Sequence, residues 1–123
     1  MAATRFLFWN MNRKPLAQLV ADLAAIHGTD VIILAECAVD PATMLQTLNR
    51  SAAGFHFPYG ISERIRVFTR FSGEFLQPTN ETERVAIRRL TLPAREPVIL
   101  AAAHLPSKLH WSAESQSFEC GRL

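Results

Sequence analysis

Apolar residues along this chain follow two rhythms, one helical and one of strands. The first strand reads from Arg5 to Met11 and hands over to two amides, Asn10 and Asn12. The run Val31-Ile32-Ile33-Leu34-Ala35 is apolar at every position, as expected of a strand covered on both faces, and it closes on Glu36. Between them Leu16, Leu19, Val20, Leu23 and Ile26 mark one apolar stripe of a helix, with Pro15 at its favoured first position and Gly28 at its end. Asp40-Pro41 then reads as an N-cap followed by a first-turn proline, and Met44, Leu45 and Leu48 supply the buried face of a second helix. A strand–helix–strand–helix opening is a βαβ unit with a right-handed crossover.

The rhythm changes in the middle of the chain. Ile65, Val67 and Thr69 alternate with Arg64, Arg66, Phe68 and Arg70, the period of a half-buried strand. Ser72-Gly73 reads as a hairpin turn into Glu74-Phe75-Leu76. A further long strand spans Arg84 to Leu92, and Pro93 and Pro97 flank the link to a third apolar strand, Val98 to Ala103, which ends at His104. Strands joined by such short links favour antiparallel pairing. Ser112 is placed to cap a last helix running toward Cys120. The pattern predicts an α/β fold (α+β in some schemes), a mixed sheet with flanking helices.

Composition narrows this picture. A chain of 123 residues has room for one domain, here 1–123, and a modest core. A net charge of +2 gives no bulk electrostatic case for nucleic acid. Arg64, Arg66, Arg70, Arg84, Arg88, Arg89 and Arg95 nevertheless crowd the middle of the chain, either as a solvated strand face or as a phosphate-facing patch. Cys37 and Cys120 make no disulfide framework and no zinc spacing, and Cys37 reads as a small buried thiol. The short apolar run bracketed by Arg5, Arg13 and Lys14 is no signal peptide, and no stretch is long enough to span a membrane. The expectation is a soluble, cytoplasmic protein.

Three strands each deliver a chemical group at their carboxyl ends: Asn10, Glu36 and His104. Open α/β sheets place ligands at that rim. A carboxylate after a large apolar run is costly unless it reaches solvent or a cation, and a hard divalent ion such as Mg²⁺ meets that need. Histidine suits proton transfer or holding a phosphoryl oxygen. Each residue also has a plain structural reading: Glu36 as a surface strand end, Asn10 as a turn former, His104 as a strand terminator.

The pattern Phe8-Trp9-Asn10-x-Asn12, then Asp30-Val31-Ile32-Ile33-Leu34-x-Glu36, then an apolar strand closing on His104-Leu105-Pro106-Ser107 resembles the endonuclease/exonuclease/phosphatase superfamily, the deoxyribonuclease I-like fold. The resemblance spans the whole chain but only about the first half of that fold. It therefore implies the N-terminal half of a four-layer α/β/β/α sandwich, truncated at the C-terminus. By position, Asn10 matches the catalytic amide that contacts the scissile phosphate or orients the metal-binding carboxylate, His104 the catalytic histidine that contacts the phosphate, and Glu36 the metal-binding glutamate, with Ala35 where glutamine is usual. Asn12, Ser107 and Lys108 are further candidates for phosphate or substrate contacts. The implied cofactor is Mg²⁺, with Mn²⁺ as an alternative.

The family's later Asp-x-Asn and Ser-Asp-His motifs have no counterpart before Leu123. The resemblance thus implies a metal-dependent phosphodiesterase or phosphatase, inactive or incomplete as this chain, acting on a phosphoester or on nucleic acid. A non-catalytic phosphate- or nucleic-acid-binding module is the competing reading, and a truncated gene product with no role of its own is a third. Half of a two-sheet sandwich also leaves an inner sheet face uncovered, so self-association through that face is expected.

Overall fold

The structure, a computed structural model, describes residues 3–58 and 60–104. Among them the order is β1 (Phe6–Asn10), α1 (Ala17–His27), β2 (Val31–Ala35), α2 (Pro41–Ser51), β3 (Ile65–Thr69), β4 (Leu76–Pro78), β5 (Val85–Leu90) and β6 (Val98–Ala103). Two three-stranded sheets result, ordered β1-β2-β3 and β4-β5-β6. β1 and β2 run parallel, joined by α1 as the βαβ reading requires, and β3 adds antiparallel to β2. The second sheet is antiparallel throughout.

Register decides which side chains share a face. Residues directly opposite in a ladder lie on the same side of the sheet. Leu7 and Trp9 pair with Ile32 and Leu34, and this side carries the core under the helices, with Val20, Ala21, Ala24, Met44, Leu48 and Phe68. Val31 and Ile33 point the other way, with Ile65 and Val67, and meet Leu76, Ala86 and Leu90 of the second sheet. β2 therefore sits in the middle and is buried along its whole length. The described layers are helices, first sheet, second sheet.

Several elements depart from the sequence reading. Pro15 lies before α1, and Leu16 occupies the N-cap position without a side-chain cap. The buried stripe of α1 is Val20, Ala21 and Ala24, while Leu19 and Ile26 face solvent. Val20 keeps its place in the expected stripe, while Ala21 and Ala24 fill the buried positions beside it. Gly28 does end the helix, in the left-handed conformation that glycine adopts without a Cβ penalty, and its N–H bonds to the carbonyls of Ala24 and Ala25. α2 begins as expected: Asp40 accepts from Thr43 N at 3.1 Å and Thr43 Oγ1 at 2.6 Å, and Pro41 follows it.

Among the described strands β1 is an edge and not the buried strand its composition implies. Phe6 and Phe8 share the inter-sheet face with Val31 and Ile33 yet are 48% and 53% exposed, because the described strands of the second sheet do not cover them. β3 is buried on both faces at Val67 and Phe68, so its arginines do not mark a simple solvent face. Ser72-Gly73 is not a hairpin turn either. Ser72 caps a single 3₁₀ turn, Gly73–Phe75, and the chain crosses there to the other sheet, where β4 pairs with β5.

Candidate functional site

The two sheets converge at one end, and the convergence builds the site. β2 runs out at Ala35, and Glu36 adopts a left-handed backbone, φ 51°, which turns the chain sharply out of the sheet. Asn12 and Arg13 are left-handed too, φ 51° and 58°, where β1 ends beside it. This conformation is uncommon for residues other than glycine and is kept where neighbours fix it. Here the fixing bonds are Met11 N to Ala35 O and Arg13 N to Glu36 O, both 2.9 Å.

From the other sheet, β6 brings up His104, whose N–H bonds to Arg84 O at 2.8 Å. Its ring Nε2 stands 3.7 Å from Glu36 Oε1, with both side chains partly exposed. On the opposite ring nitrogen, Arg84 Nη1 approaches Nδ1 at 3.5 Å. A guanidinium can only donate, so this contact forms with the tautomer in which Nδ1 accepts and the ring hydrogen sits on Nε2, facing the carboxylate. Sixty-eight positions separate Glu36 from His104, and only the sandwich brings them together.

Glu36 and His104 line a cleft of about 670 Å³ with Arg13, Arg64, Arg66 and Glu63 among its other walls. Arg66 is anchored by donating from Nη1 to Val39 O at 2.9 Å. Arg64 pairs with Glu83, whose carboxyl is held below its usual range chiefly by that hydrogen bond and charge. Three arginines in the lining face three glutamates, Glu36, Glu63 and Glu83, so the formal charges cancel. From these described residues an incoming phosphate meets no net positive charge in the lining.

Asn10 ends β1 level with Ala35 of β2, at the same rim as Glu36. Its Oδ1 accepts from Asn12 N at 2.9 Å, a turn bond that leaves the amide NH₂ to donate elsewhere. Neither Asn10 nor Asn12 belongs to the lining of the cleft. Ser107, Lys108 and the helix expected over Ser112 to Cys120 lie outside the described residues. Cys37 borders the cleft as the bland reading implies: it donates from Sγ to Val39 O at 3.4 Å, and burial pushes its thiol pKa up.

Sequence reasoning offered Arg64 and Arg66 only within a broad phosphate-facing patch, and it missed Arg13, Glu63 and Glu83. Arg13 follows the amide run directly and Arg64 and Arg66 flank the first residue of β3, but their convergence depends on how the 36–40 turn meets β3. The crowd of central arginines is mostly engaged one by one. Arg64, Arg66 and Arg88 hold a carboxylate or carbonyl, and Arg70 lies 5.6 Å over the Phe55 ring. This is not an open cationic stripe.

The donor set also limits any metal. Among the described residues, no group of three or more His, Cys, Asp or Glu is placed to hold an ion. A single carboxylate beside an amide suits a hard, largely hydrated cation such as Mg²⁺, which keeps several waters and shares phosphate oxygens. It does not suit zinc, which takes three or four protein ligands.

No family model and no curated protein matches the sequence. Solved structures do match. A humanised D. rerio TDP2 carrying 14 mutations aligns over 96% of this chain and 53% of its own length, with TM-score 0.63 and 16% identity. An endonuclease/exonuclease/phosphatase family protein from Leptotrichia buccalis aligns over 96% of this chain and 60% of its own, with TM-score 0.63 and 13% identity. The chain thus spans little more than half the length of the structures it resembles. At these identities the likeness establishes architecture, and the architecture is the N-terminal half of the deoxyribonuclease I-like sandwich.

Proposed function

We propose that this chain carries one half of a metal-dependent site for phosphoester hydrolysis, with Glu36 holding Mg²⁺ or Mn²⁺ and His104 holding the phosphoryl group. The observation that carries the reading is the approach of Glu36 Oε1 to His104 Nε2, 3.7 Å, at the converging ends of two sheets. A bound divalent ion would neutralise charge on the phosphoryl oxygens as a Lewis acid. The balanced charges of the described lining, three arginines against three glutamates, are consistent with an ion supplying the positive charge that a phosphate requires. The 3.5 Å approach of Arg84 to Nδ1 favours Nε2–H as the donor facing the cleft, and on this reading His104 grips a phosphoryl oxygen and does not remove a proton from water. The free amide of Asn10 is a second donor at the same rim.

The competing reading, a non-catalytic phosphate- or nucleic-acid-binding module, draws less support. It needs available arginines, and Arg64, Arg66 and Arg88 are each held by an internal partner. Phosphoester or nucleic-acid hydrolysis by the site as a whole requires a group that activates water, and neither Glu36 nor His104 is set up to be that group. The chain by itself is therefore expected to bind a divalent ion weakly and to turn over phosphodiesters little.

The test is Mg²⁺-dependent hydrolysis of a generic phosphodiester and of a DNA strand, with isothermal titration of Mg²⁺ alongside. The reading expects measurable Mg²⁺ binding that Glu36→Gln abolishes, and turnover near background. Mg²⁺ affinity unchanged by Glu36→Gln contradicts it.

A further inference from the structure

We infer that Glu81, locked in place by Arg88, is the positioning residue of the cleft: it fixes the Gly60–Ser62 wall, and its loop fixes the ring of His104. Arg88 points from β5 into the space between the sheets, on the same face as Ala86 and Leu90. Both partners are almost wholly buried, and Arg88 Nε donates to Glu81 Oε2 at 2.7 Å. Buried charge pairs add little to stability over an apolar pair of similar volume, so a pair kept at this depth invites a structural assignment of another kind.

The second carboxylate oxygen supplies it. Glu81 Oε1 accepts from Ile61 N at 2.9 Å and Ser62 N at 3.5 Å. Gly60, Ile61 and Ser62 all line the cleft that holds Glu36 and His104. The wall is packed against the pair so closely that a Cβ at Gly60 would overlap the Arg88 guanidinium. Two residues on, Glu83 O accepts from Ser62 Oγ at 2.9 Å and Arg64 N at 3.2 Å. Next in the chain, Arg84 receives the His104 N–H on its carbonyl and reaches Nδ1 of the ring with its guanidinium. One segment, residues 81 to 84, thus ties one wall of the cleft to the imidazole of the other.

This role does not depend on which ligand the cleft takes, so it is tested without one. Glu81→Leu with Arg88→Met removes both charges and the acceptor. Glu81→Gln with Arg88→Met removes the charges but leaves an acceptor for the two amides. Amide hydrogen exchange of Ile61 and Ser62 is compared with that of Ile33 and Leu34, and long-range proton–nitrogen NMR reads the His104 tautomer. We expect the Leu/Met chain to exchange at Ile61 and Ser62 at least about tenfold faster with β2 unchanged, and to lose the single Nε2–H tautomer. The Gln/Met chain should retain both signatures. A folded Leu/Met chain with both signatures intact overturns the inference, as does identical behaviour of the two double variants. If neither folds, Gly60→Ala decides: displaced wall amides with an altered His104 tautomer sustain it, and unchanged ones overturn it.

Discussion

β2 and β6 are near twins in sequence and opposites in surroundings. Val31-Ile32-Ile33-Leu34-Ala35 and Val98-Ile99-Leu100-Ala101-Ala102-Ala103 are both wholly apolar, and each closes on a chemical residue, Glu36 or His104. β2 has a strand on either side, helices on one face and a sheet on the other, and is buried throughout. Among the described strands β6 has β5 on one side only, and Val98 and Ile99 are 51% and 61% exposed. An apolar strand states what cover it needs, and the described elements supply that cover to β2 alone. Both strands still deliver their terminal residue to the same cleft, because the sheets converge at that end.

The largest expected contrast is in stability. Leu34→Ala empties a site under both helices and should lower unfolding free energy by about 2–5 kcal/mol. Ile99→Ala should stay within about 0.5 kcal/mol. Urea unfolding of the two variants checks this, and equal losses would show that β6 is covered as fully as β2.

Association should come next in size. β1 and β6 are both free edges among the described strands, and Phe6 and Phe8 present an apolar inner face beside β1. Exposed edges with apolar side chains template pairing. We expect concentration-dependent self-association in sedimentation runs, and Phe8→Lys should shift it to at least about tenfold higher concentration. A monomer that is indifferent to Phe8→Lys breaks the contrast.

Two pH effects are smaller. Cys37, beside β2, has its pKa raised above the ordinary thiol range chiefly by burial, so folding favours the neutral thiol. Stability from this source is intact below the ordinary thiol value and falls as pH rises through the raised one. Cys37→Ala should flatten that alkaline loss in thermal melts. Asp40 is lowered by its Thr43 hydrogen bonds and Glu83 by Arg64. Their contributions are present above the ordinary carboxylate values and are lost as pH drops through the lowered ones. Both groups sit in solvent, so screening keeps this the faintest of the effects.

The comparison also explains what could be read from residues alone. β2, α2 and the antiparallel second sheet were legible because their signals are local: an unbroken apolar run, an Asp-Pro cap, short links between alternating segments. The strand-end placement of Glu36 and His104 was legible for the same reason. Three chemical strand ends pointed to one shared cleft at the end of a single sheet; Glu36 and His104 do meet, but from two separate sheets, because nothing within either strand encodes which sheet it joins. α1 misled because alanines, not leucines, mark its close-packed side. The switch of sheets at Ser72 misled because a turn signal fixes a reversal and not which strand receives the chain. The Glu81–Arg88 pair was invisible, since a buried arginine in a strand looks like any exposed one.

The central claim is that Glu36 and His104 form one cation-dependent site, and Mn²⁺ broadening in NMR tests it most directly. Substoichiometric Mn²⁺ should broaden resonances of Glu36, Arg13 and His104 first and leave Ile99 and α2 sharp. Glu36→Gln should abolish the effect at all three while the spectrum elsewhere stays folded. Broadening centred on Glu63 or Glu83, or broadening at His104 that survives Glu36→Gln, would contradict the account.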